Sequence, residues 1–202
     1  MSLHITIGCM YASKTTSLIN KYNTFHRDQV VVLDYDTERS CDVYEGELVN
    51  HNGSKIPCIK CSTLYDVMDI YKKRGNFQLS HEFDPLNDYA LSREMNETRD
   101  ALLNARHIMI NEAQFYPDLV EFVKEFMSKY MNKTIHVYGL DGDFKQEKIG
   151  HILDIIPLCD SIQKLKAICK CGEPAIFSKR LSEETDQYQP NAQYIPVCRK
   201  CL

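Results

Sequence analysis

The chain has 202 residues, of which 44% are hydrophobic and 26% charged, and its formal net charge is −4. This composition is typical of a globular protein, and the absence of a Lys/Arg block argues against binding to nucleic acid or to an anionic membrane surface. No apolar run is long enough to span a bilayer and the N-terminus lacks a signal-peptide pattern, so we expect a cytoplasmic protein with no membrane partner. In that setting the nine cysteines favour free thiols and metal ligands over disulfides.

The first predicted element is a buried strand over Leu3 to Ile7, and a helical segment begins near Ser17. Between them, residues 8–16 read Gly-Cys-Met-Tyr-Ala-Ser-Lys-Thr-Thr, a relaxed form of the phosphate-binding P-loop. The amides of such a loop bind phosphates, Lys14 is expected to reach the outer phosphates, and the Thr15 hydroxyl is expected to bind Mg²⁺. Ser13 stands where the second glycine of the pattern is expected, and its Cβ restricts the backbone. An ordinary turn between a strand and a helix is the alternative interpretation.

The next predicted strand, Val30 to Leu33, is followed by a charged run over residues 34–39. Open α/β sheets place their ligands beyond the carboxyl ends of the strands, although a solvated loop explains the charges equally well. A strand over 56–61 and a helix over 63–73 follow. Cys58 and Cys61 are three residues apart on that strand and point to opposite faces, which predicts packing thiols rather than zinc ligands. Residues 74–91 have no clear periodicity and are interpreted as an inserted surface excursion, and helical spacing returns over 92–104.

The second informative stretch begins with a buried strand, His107 to Ile110, and Pro117 suits the first turn of the helix behind it. Asn111 takes the place where P-loop NTPases usually carry an aspartate for Mg²⁺, and Glu112 beside it is interpreted as a catalytic base. A purely structural carboxylate is the alternative. Because the Asn111 amide is neutral, we expect Asp36 to replace the missing charge through water.

The remaining elements are a strand over 134–140, an Asp-Gly turn, and an apolar segment over 152–158 that is expected to pack under the sheet. Phe144 is either a pocket wall or plain core. In the C-terminal tail, two close cysteine pairs about thirty residues apart predict a structural Cys₄ zinc site. The polar stretch 181–191 between the pairs is interpreted as a loop pinned at its base by the metal. The four predicted zinc ligands are Cys169, Cys171, Cys198 and Cys201.

These motifs together resemble the zinc-containing type II thymidine kinases of cells and large DNA viruses. The resemblance rests on the P-loop, Asn-Glu-Ala-Gln-Phe-Tyr-Pro-Asp-Leu-Val-Glu-Phe (111–122), Leu-Asp-Gly-Asp-Phe (140–144), Ser-Lys-Arg-Leu (178–181) and Tyr-Ile-Pro-Val-Cys-Arg-Lys-Cys (194–201), in the family's order. It implies a P-loop α/β domain with a mostly parallel sheet (1–166) and a small zinc domain with a substrate "lasso" loop (167–202). It also implies ATP, Mg²⁺ and Zn²⁺ as cofactors, thymidine as substrate, phosphorylation of its 5′-hydroxyl, and a homotetramer.

The resemblance assigns site residues one by one. It implies that Glu112 is the catalytic base. It implies that the nucleotide and its metal are bound by Gly8, Cys9, Met10, Tyr11, Ala12, Ser13, Lys14, Thr15, Asp36, Asn111 and Gln114. It implies that the nucleoside is bound by Met10, Gln114, Phe115, Leu140, Phe144, Ser178, Gln189 and Tyr194, the last being the lasso tyrosine.

The sequence departs from the family pattern at Ser13, at Asn111, in the lasso near Gln189, where the family has Gly-Gly, and in the short first cysteine pair. Two other functions are therefore considered beside thymidine phosphorylation. One is a kinase for a different deoxynucleoside. The other is a regulatory zinc-ribbon module on a degenerate P-loop scaffold, against which the intact Lys14, Thr15 and Glu112 argue.

Overall fold

The computed structural model describes residues 1–36, 43–69, 100–183, 185–187, 189 and 192–202 of the chain. Within them, seven strands form one sheet. These strands are β1 (Ser2–Gly8), β2 (Val30–Tyr35), β3 (Tyr44–Val49), β4 (Lys55–Cys61), β5 (His107–Asn111), β6 (Thr134–Gly139) and β7 (Ser161–Leu165). Their order is β3-β4-β2-β5-β6-β1-β7, and every neighbouring pair is parallel except β3 and β4. The carboxyl ends of β1, β2 and β5 therefore meet at one edge.

Helices cover both faces of the sheet, as the continuous apolar runs of its parallel strands require. On one face, α1 (Lys14–Tyr22) buries Leu18, Ile19 and Tyr22 against side chains of β2, β5 and β6. On the other face lie α2 (Leu64–Asp69), α3 (Leu119–Lys129) and a 3-10 helix, Ile152–Leu158. Residues 100–104 are helical, and a short 3-10 helix, Ala113–Phe115, follows β5.

Four short strands follow the large sheet and pair in two antiparallel hairpins. The first hairpin contains β8 (Ala167–Ile168) and β9 (Pro174–Ala175), and the second contains β10 (Phe177–Arg180) and β11 (Tyr194–Val197). We call residues 167–202 the C-terminal module. It packs directly on the P-loop through a buried cluster that consists of Cys9, Ala12, Ala167, Cys169, Ala175, Val197 and Cys198.

The predicted α/β class with a mostly parallel sheet is confirmed, and so are the strands predicted in the large sheet and the packing of 152–158. The sequence interpretation misses β3 and β7, which lie at the two sheet edges. Pro117 is exposed and lies two residues before α3 rather than in its first turn. Asp118, which directly precedes α3, accepts hydrogen bonds from the Leu64 and Tyr65 amides of α2. The excursion predicted over 74–91 lies outside the described residues. In the part of the chain that is described, no helix has both the length and the hydrophobicity needed to cross a bilayer.

Candidate active site

The P-loop connects β1 to α1 at the carboxyl edge of the sheet. Gly8 is needed there for close packing, since a Cβ at this position would lie 2.6 Å from the Leu165 carbonyl oxygen. Tyr11 and Ser13 have left-handed backbone conformations although neither is glycine, with φ of 62° and 60°. The Ser13 side chain does not cap α1, so the first amides of the helix remain available to an anion.

Lys14 is buried at the start of α1, with 8% of its surface exposed. Its ammonium group donates a hydrogen bond to the Cys9 carbonyl oxygen at 2.9 Å. Burial lowers the pKa of Lys14, and the negative charges of Glu112 and Asp141 oppose that shift. The P-loop lysine and the carboxylate after β5 are therefore close enough for their charges to interact.

Glu112 follows β5 directly in a left-handed conformation with φ of 48°. Its Oε2 accepts a hydrogen bond from Gln114 Nε2 at 2.7 Å, and Gln114 Oε1 accepts one from the Leu140 amide at 2.9 Å. Gln114 is buried and packs directly against Gly139 and Gly150. A Cβ at Gly139 would overlap its side chain, and a Cβ at Gly150 would overlap its carbonyl group. A left-handed non-glycine residue costs about 1–3 kcal/mol and is found most often at functional sites. The fold thus fixes the direction of the Glu112 side chain.

Asn111, at the end of β5, contacts a carboxylate that the sequence interpretation does not single out. Asn111 Nδ2 donates to Asp34 Oδ1 at 2.8 Å, and the Asp34 carboxylate also pairs with Lys60. Asp36 is buried two residues further along, where its amide donates to the Cys61 carbonyl oxygen. The carboxylate that touches Asn111 is therefore that of Asp34, and a role for Asp36 stays a prediction. The sequence feature that could have identified Asp34 is its position as an aspartate inside an otherwise apolar strand.

The residues predicted to bind the nucleoside are connected in pairs. The Met10 amide donates to Ser178 Oγ at 2.9 Å, which joins the P-loop to β10. Phe144 and Tyr194 are joined through Arg180: its guanidinium carbon lies 3.9 Å from the Phe144 ring centroid, and its Nη2 donates to the Tyr194 hydroxyl at 2.6 Å. Sequence reasoning misses Arg180 as a site residue, although it lies in the Ser-Lys-Arg-Leu motif.

Two other residues predicted to bind the nucleoside, Phe115 and Gln189, have different partners. The Phe115 ring packs against Tyr35 with centroids 5.3 Å apart. The carbonyl oxygen of Gln189 accepts a hydrogen bond from the Ala192 amide at 3.2 Å. Elsewhere in the same loop, Gln187 donates to Asp143 Oδ2 at 3.0 Å. That last contact ties the loop between β10 and β11 to the segment after β6.

A cavity of about 200 Å³ lies between the P-loop, the segment after β6 and the C-terminal module. Its lining consists of Cys9, Asp141, Gly142, Asp143, Gln146, Lys164, Ile176, Phe177 and Ser178. Two predicted site residues, Cys9 and Ser178, are among them. Of the described residues predicted for the nucleoside, only Ser178 belongs to the lining.

The four predicted zinc ligands form one cluster in which all the sulfur atoms lie within 4.8 Å of one another. The sulfur atoms of Cys171 and Cys198 are 3.6 Å apart. Tetrahedral zinc with bonds of about 2.3 Å needs four sulfurs at such separations. Hydrogen bonds from the Cys171 and Cys198 amides lower the pKa of Cys169 to about 6, which favours the thiolate that binds metals. The cluster therefore fits a zinc ion.

Cys58 and Cys61 do not have the properties of metal ligands. Their side chains lie on opposite faces of β4, in two different core clusters, as the sequence predicts. Burial raises the pKa of each thiol to about 12. Both are packing residues.

The fold and these contacts define a class: an α/β protein with a P-loop after its first strand and a carboxylate after a central strand, aimed at one site. The thymidine kinase family model matches residues 1–80 and 80–202. The chain therefore belongs to the thymidine kinase family.

Individual relatives agree with the family match. The chain is 32% identical over 206 residues to a thymidine kinase of Oryza sativa, covering 98% of this chain and 65% of the rice protein, just under two thirds of its length. It is 29% identical over 204 residues to the thymidine kinase of vaccinia virus strain Ankara, covering 98% and 95%. It is 31% identical over 202 residues to thymidine kinase a of Arabidopsis thaliana, covering 98% and 74%.

Proposed function

We propose that this chain transfers the γ-phosphoryl group of ATP to the 5′-hydroxyl group of thymidine. The observation that carries the proposal is the placement of the P-loop, with its buried Lys14, and of Glu112 after β5 at the same carboxyl edge of the sheet. Phosphoryl transfer needs cationic and amide donors for the phosphates beside an acceptor for the hydroxyl proton. The names of the rice, vaccinia and Arabidopsis relatives support thymidine as the acceptor substrate.

In this proposal, the loop from Gly8 to Thr15 binds the phosphates. The uncapped first turn of α1 offers amide donors, and Lys14 offers a buried cation. The Thr15 hydroxyl would bind Mg²⁺, and the Asn111 amide oxygen and the Asp36 carboxylate would act on it through water; oxygen groups of this kind suit a hard cation. When bound with ATP, Mg²⁺ would neutralise charge on the phosphates. The other residues of the loop, including Tyr11 and Ser13, position the backbone that binds the phosphates.

Glu112 is the proposed general base. Gln114 holds one carboxylate oxygen, and the other remains to accept the proton of the nucleoside hydroxyl. The buried Gln114 also connects this carboxylate to the Leu140 amide, so the base and one wall of the proposed nucleoside site are positioned together. Such positioning is the main source of catalysis in phosphoryl transfer.

The proposed nucleoside site uses Met10, Gln114, Phe115, Leu140, Phe144, Ser178, Gln189 and Tyr194. Arg180 is added to this set because it stacks on Phe144 and donates to the Tyr194 hydroxyl. An arginine over an aromatic ring stabilises the pair by about 0.5–2 kcal/mol. It therefore holds in place one aromatic ring in the segment after β6 and one at the start of β11.

We further propose that the cysteine cluster holds one structural zinc ion and that the chain divides after residue 166 into a P-loop domain and a zinc domain. The homotetramer and the cytoplasmic location also remain predictions. Sedimentation of the purified protein with and without nucleotide would test the tetramer.

The proposed activity is tested by measuring ATP turnover with a panel of deoxynucleosides. We expect thymidine to be the preferred acceptor. Preference for another deoxynucleoside would change the substrate, and absence of turnover with all of them would favour the regulatory alternative.

The proposed base is tested with Glu112→Gln, which keeps an acceptor for Gln114. Turnover should fall by about 10²–10⁴-fold, the usual contribution of a general base, with ADP and thymidine affinities within a few-fold of wild type. Glu121→Gln, an exposed position in α3, is the matched control and should behave like wild type. An active Glu112→Gln variant would refute the assignment.

A further inference from the structure

Three polar side chains form a row across neighbouring strands at the carboxyl edge of the sheet. The parallel register pairs Lys60 of β4 with Asp34 of β2, and Asp34 with Asn111 of β5. Paired residues in adjacent strands point to the same face, so the three side chains lie side by side. Asp34 and Asn111 are each 4% exposed.

Both oxygens of the Asp34 carboxylate are bonded in this row. Oδ1 accepts from Asn111 Nδ2 at 2.8 Å, and Oδ2 pairs with the ammonium group of Lys60. A buried carboxylate is costly unless it is paired, and here the lysine supplies the countercharge. Burial lowers the pKa of Lys60, but the hydrogen bond and the charge of Asp34 outweigh burial and raise it overall, so Lys60 is a cation at neutral pH.

The row determines the orientation of the Asn111 amide. With one Nδ2 hydrogen donated to Asp34, the acceptor oxygen Oδ1 is held on the opposite side of the amide from the carboxylate. The opposite rotamer would place Oδ1 against a carboxylate, where two acceptors repel. Asn111 is the last residue of β5, and this carboxyl end lies at the same edge of the parallel sheet as the P-loop after β1.

We propose that Asp34 and Lys60 are positioning residues: Lys60 pairs with the Asp34 carboxylate, and Asp34 fixes the Asn111 amide with its oxygen available to a Mg²⁺-bound water. This inference deepens the proposed function and rests on it. Neither Asp34 nor Lys60 needs to touch the nucleotide. A row that served only to hold three strands together would affect stability but not the response to Mg²⁺.

Exchange of the side chains at positions 34 and 111 tests this positioning role. Asp34→Asn removes the charge and no longer enforces one amide orientation at residue 111. Asp34→Asn combined with Asn111→Asp rebuilds the row with opposite polarity, because an asparagine at 34 can donate to the carboxylate at 111 and accept from Lys60. The double variant places a carboxylate at residue 111 itself, and it should therefore recover what the single variant loses.

The experiment measures ADP affinity by calorimetry, with EDTA and at several free Mg²⁺ concentrations, for wild type, Asp34→Asn, Asn111→Asp and the double variant. For Asp34→Asn we expect unchanged affinity in EDTA and an approximately tenfold smaller gain from Mg²⁺, in line with the loss of one charge-assisted hydrogen bond. The double variant should regain the wild-type response. Glu47→Gln, which removes a carboxylate from the exposed pair with Lys55, is the matched control and should change nothing.

An unchanged Mg²⁺ response in Asp34→Asn, or no recovery in the double variant, would overturn the proposal. If Asp34→Asn does not fold, the double variant still decides, since a response well below that of wild type would contradict the inference. Failure of the proposed function looks different: wild-type protein would then not bind ADP in EDTA or would not phosphorylate any deoxynucleoside.

Discussion

Ser13 shows how a single side chain changes the physical chemistry of the P-loop. The position needs a left-handed backbone, and Ser13 adopts one with φ of 60°. A residue with a Cβ pays about 1–2 kcal/mol for this conformation, whereas glycine does not. The sequence interpretation of Ser13 as a restricting residue agrees with this geometry.

We therefore expect Ser13→Gly to raise the free energy of unfolding by up to about 1 kcal/mol, since relief of the left-handed conformation exceeds the greater flexibility of glycine in the unfolded chain. The melting temperature should rise by roughly 2–4 °C for a chain of this size. Ser17→Gly is the matched control: the same change inside α1 should destabilise by about 0.5–1 kcal/mol. Destabilisation by both substitutions would show that Ser13 is not strained.

At the scale of elements, the packing of the segment after β5 against the end of β6 determines the orientation of the proposed base. Gln114 fills the space above Gly139, bonds the Leu140 amide, and holds Glu112. Gly139→Ala should displace Gln114 because the new methyl group would overlap Gln114 Oε1. We expect turnover to fall at least tenfold with little change in ADP affinity, since the P-loop is not touched.

The matched control for that substitution is Gly53→Ala, at a turn where no atom lies within 4 Å of the added Cβ. Alanine is strained at the φ of 78° found there, so this variant should lose some stability but keep full turnover per folded molecule. Wild-type turnover in Gly139→Ala would show that Glu112 does not depend on Gln114 for its position.

A second feature at this scale is a group of aromatic rings shared by β1, β5 and β6. His136 is 6% exposed and lies between His4, at a centroid distance of 5.3 Å, and His107, at 5.8 Å. Burial, and then the charges of His4, His107 and Lys21, lower the pKa of His136 to about 3. In the unfolded chain this pKa returns to about 6.5.

Between pH 6.5 and pH 3, the unfolded chain therefore binds a proton at His136 that the folded protein does not bind. Stability must decrease as the pH falls through this window, by at most about 1.4 kcal/mol per pH unit from this residue. His136→Leu should lose less stability than wild type between pH 7 and pH 5. Urea unfolding at both pH values measures the difference, and equal losses would contradict the buried neutral histidine.

The elements differ in how well the sequence predicts them, and the reason is burial. Val30 to Leu33 and His107 to Ile110 are continuous apolar runs, which identify strands buried on both faces. The edge strand β7 is mostly exposed and reads Ser-Ile-Gln-Lys-Leu, so no hydrophobic pattern marks it. The contacts of Asp34 with Asn111 and of Arg180 with Phe144 depend on register and loop path, which local sequence does not encode.

At the scale of the whole molecule, the C-terminal module and the P-loop share one buried cluster. The proposed zinc site contributes Cys169 and Cys198 to it, and the P-loop contributes Cys9 and Ala12. Replacing Cys198 and Cys201 by serine should release the zinc and weaken ADP binding together with thymidine binding, because the P-loop loses its packing surface. Metal analysis and calorimetry on the same samples test both effects.

The control for the zinc experiment is the double substitution of Cys58 and Cys61 by serine. These thiols lie in the sheet, so this variant should keep its zinc even if it loses stability. Zinc loss in this control would show that the wrong thiols were assigned. Unchanged ADP binding after zinc release would show that the P-loop does not depend on the module.

The position of Cys9 has a consequence for chemical labelling. Its thiol is 1% exposed, and its sulfur lies 3.5 Å from the Ala175 carbonyl oxygen of the C-terminal module. Burial raises the pKa of Cys9 and so suppresses the reactive thiolate. Alkylation of Cys9 therefore requires an opening that exposes this thiol, such as separation of the module from the P-loop, and its rate, read by mass spectrometry, reports how often the proposed nucleotide site opens.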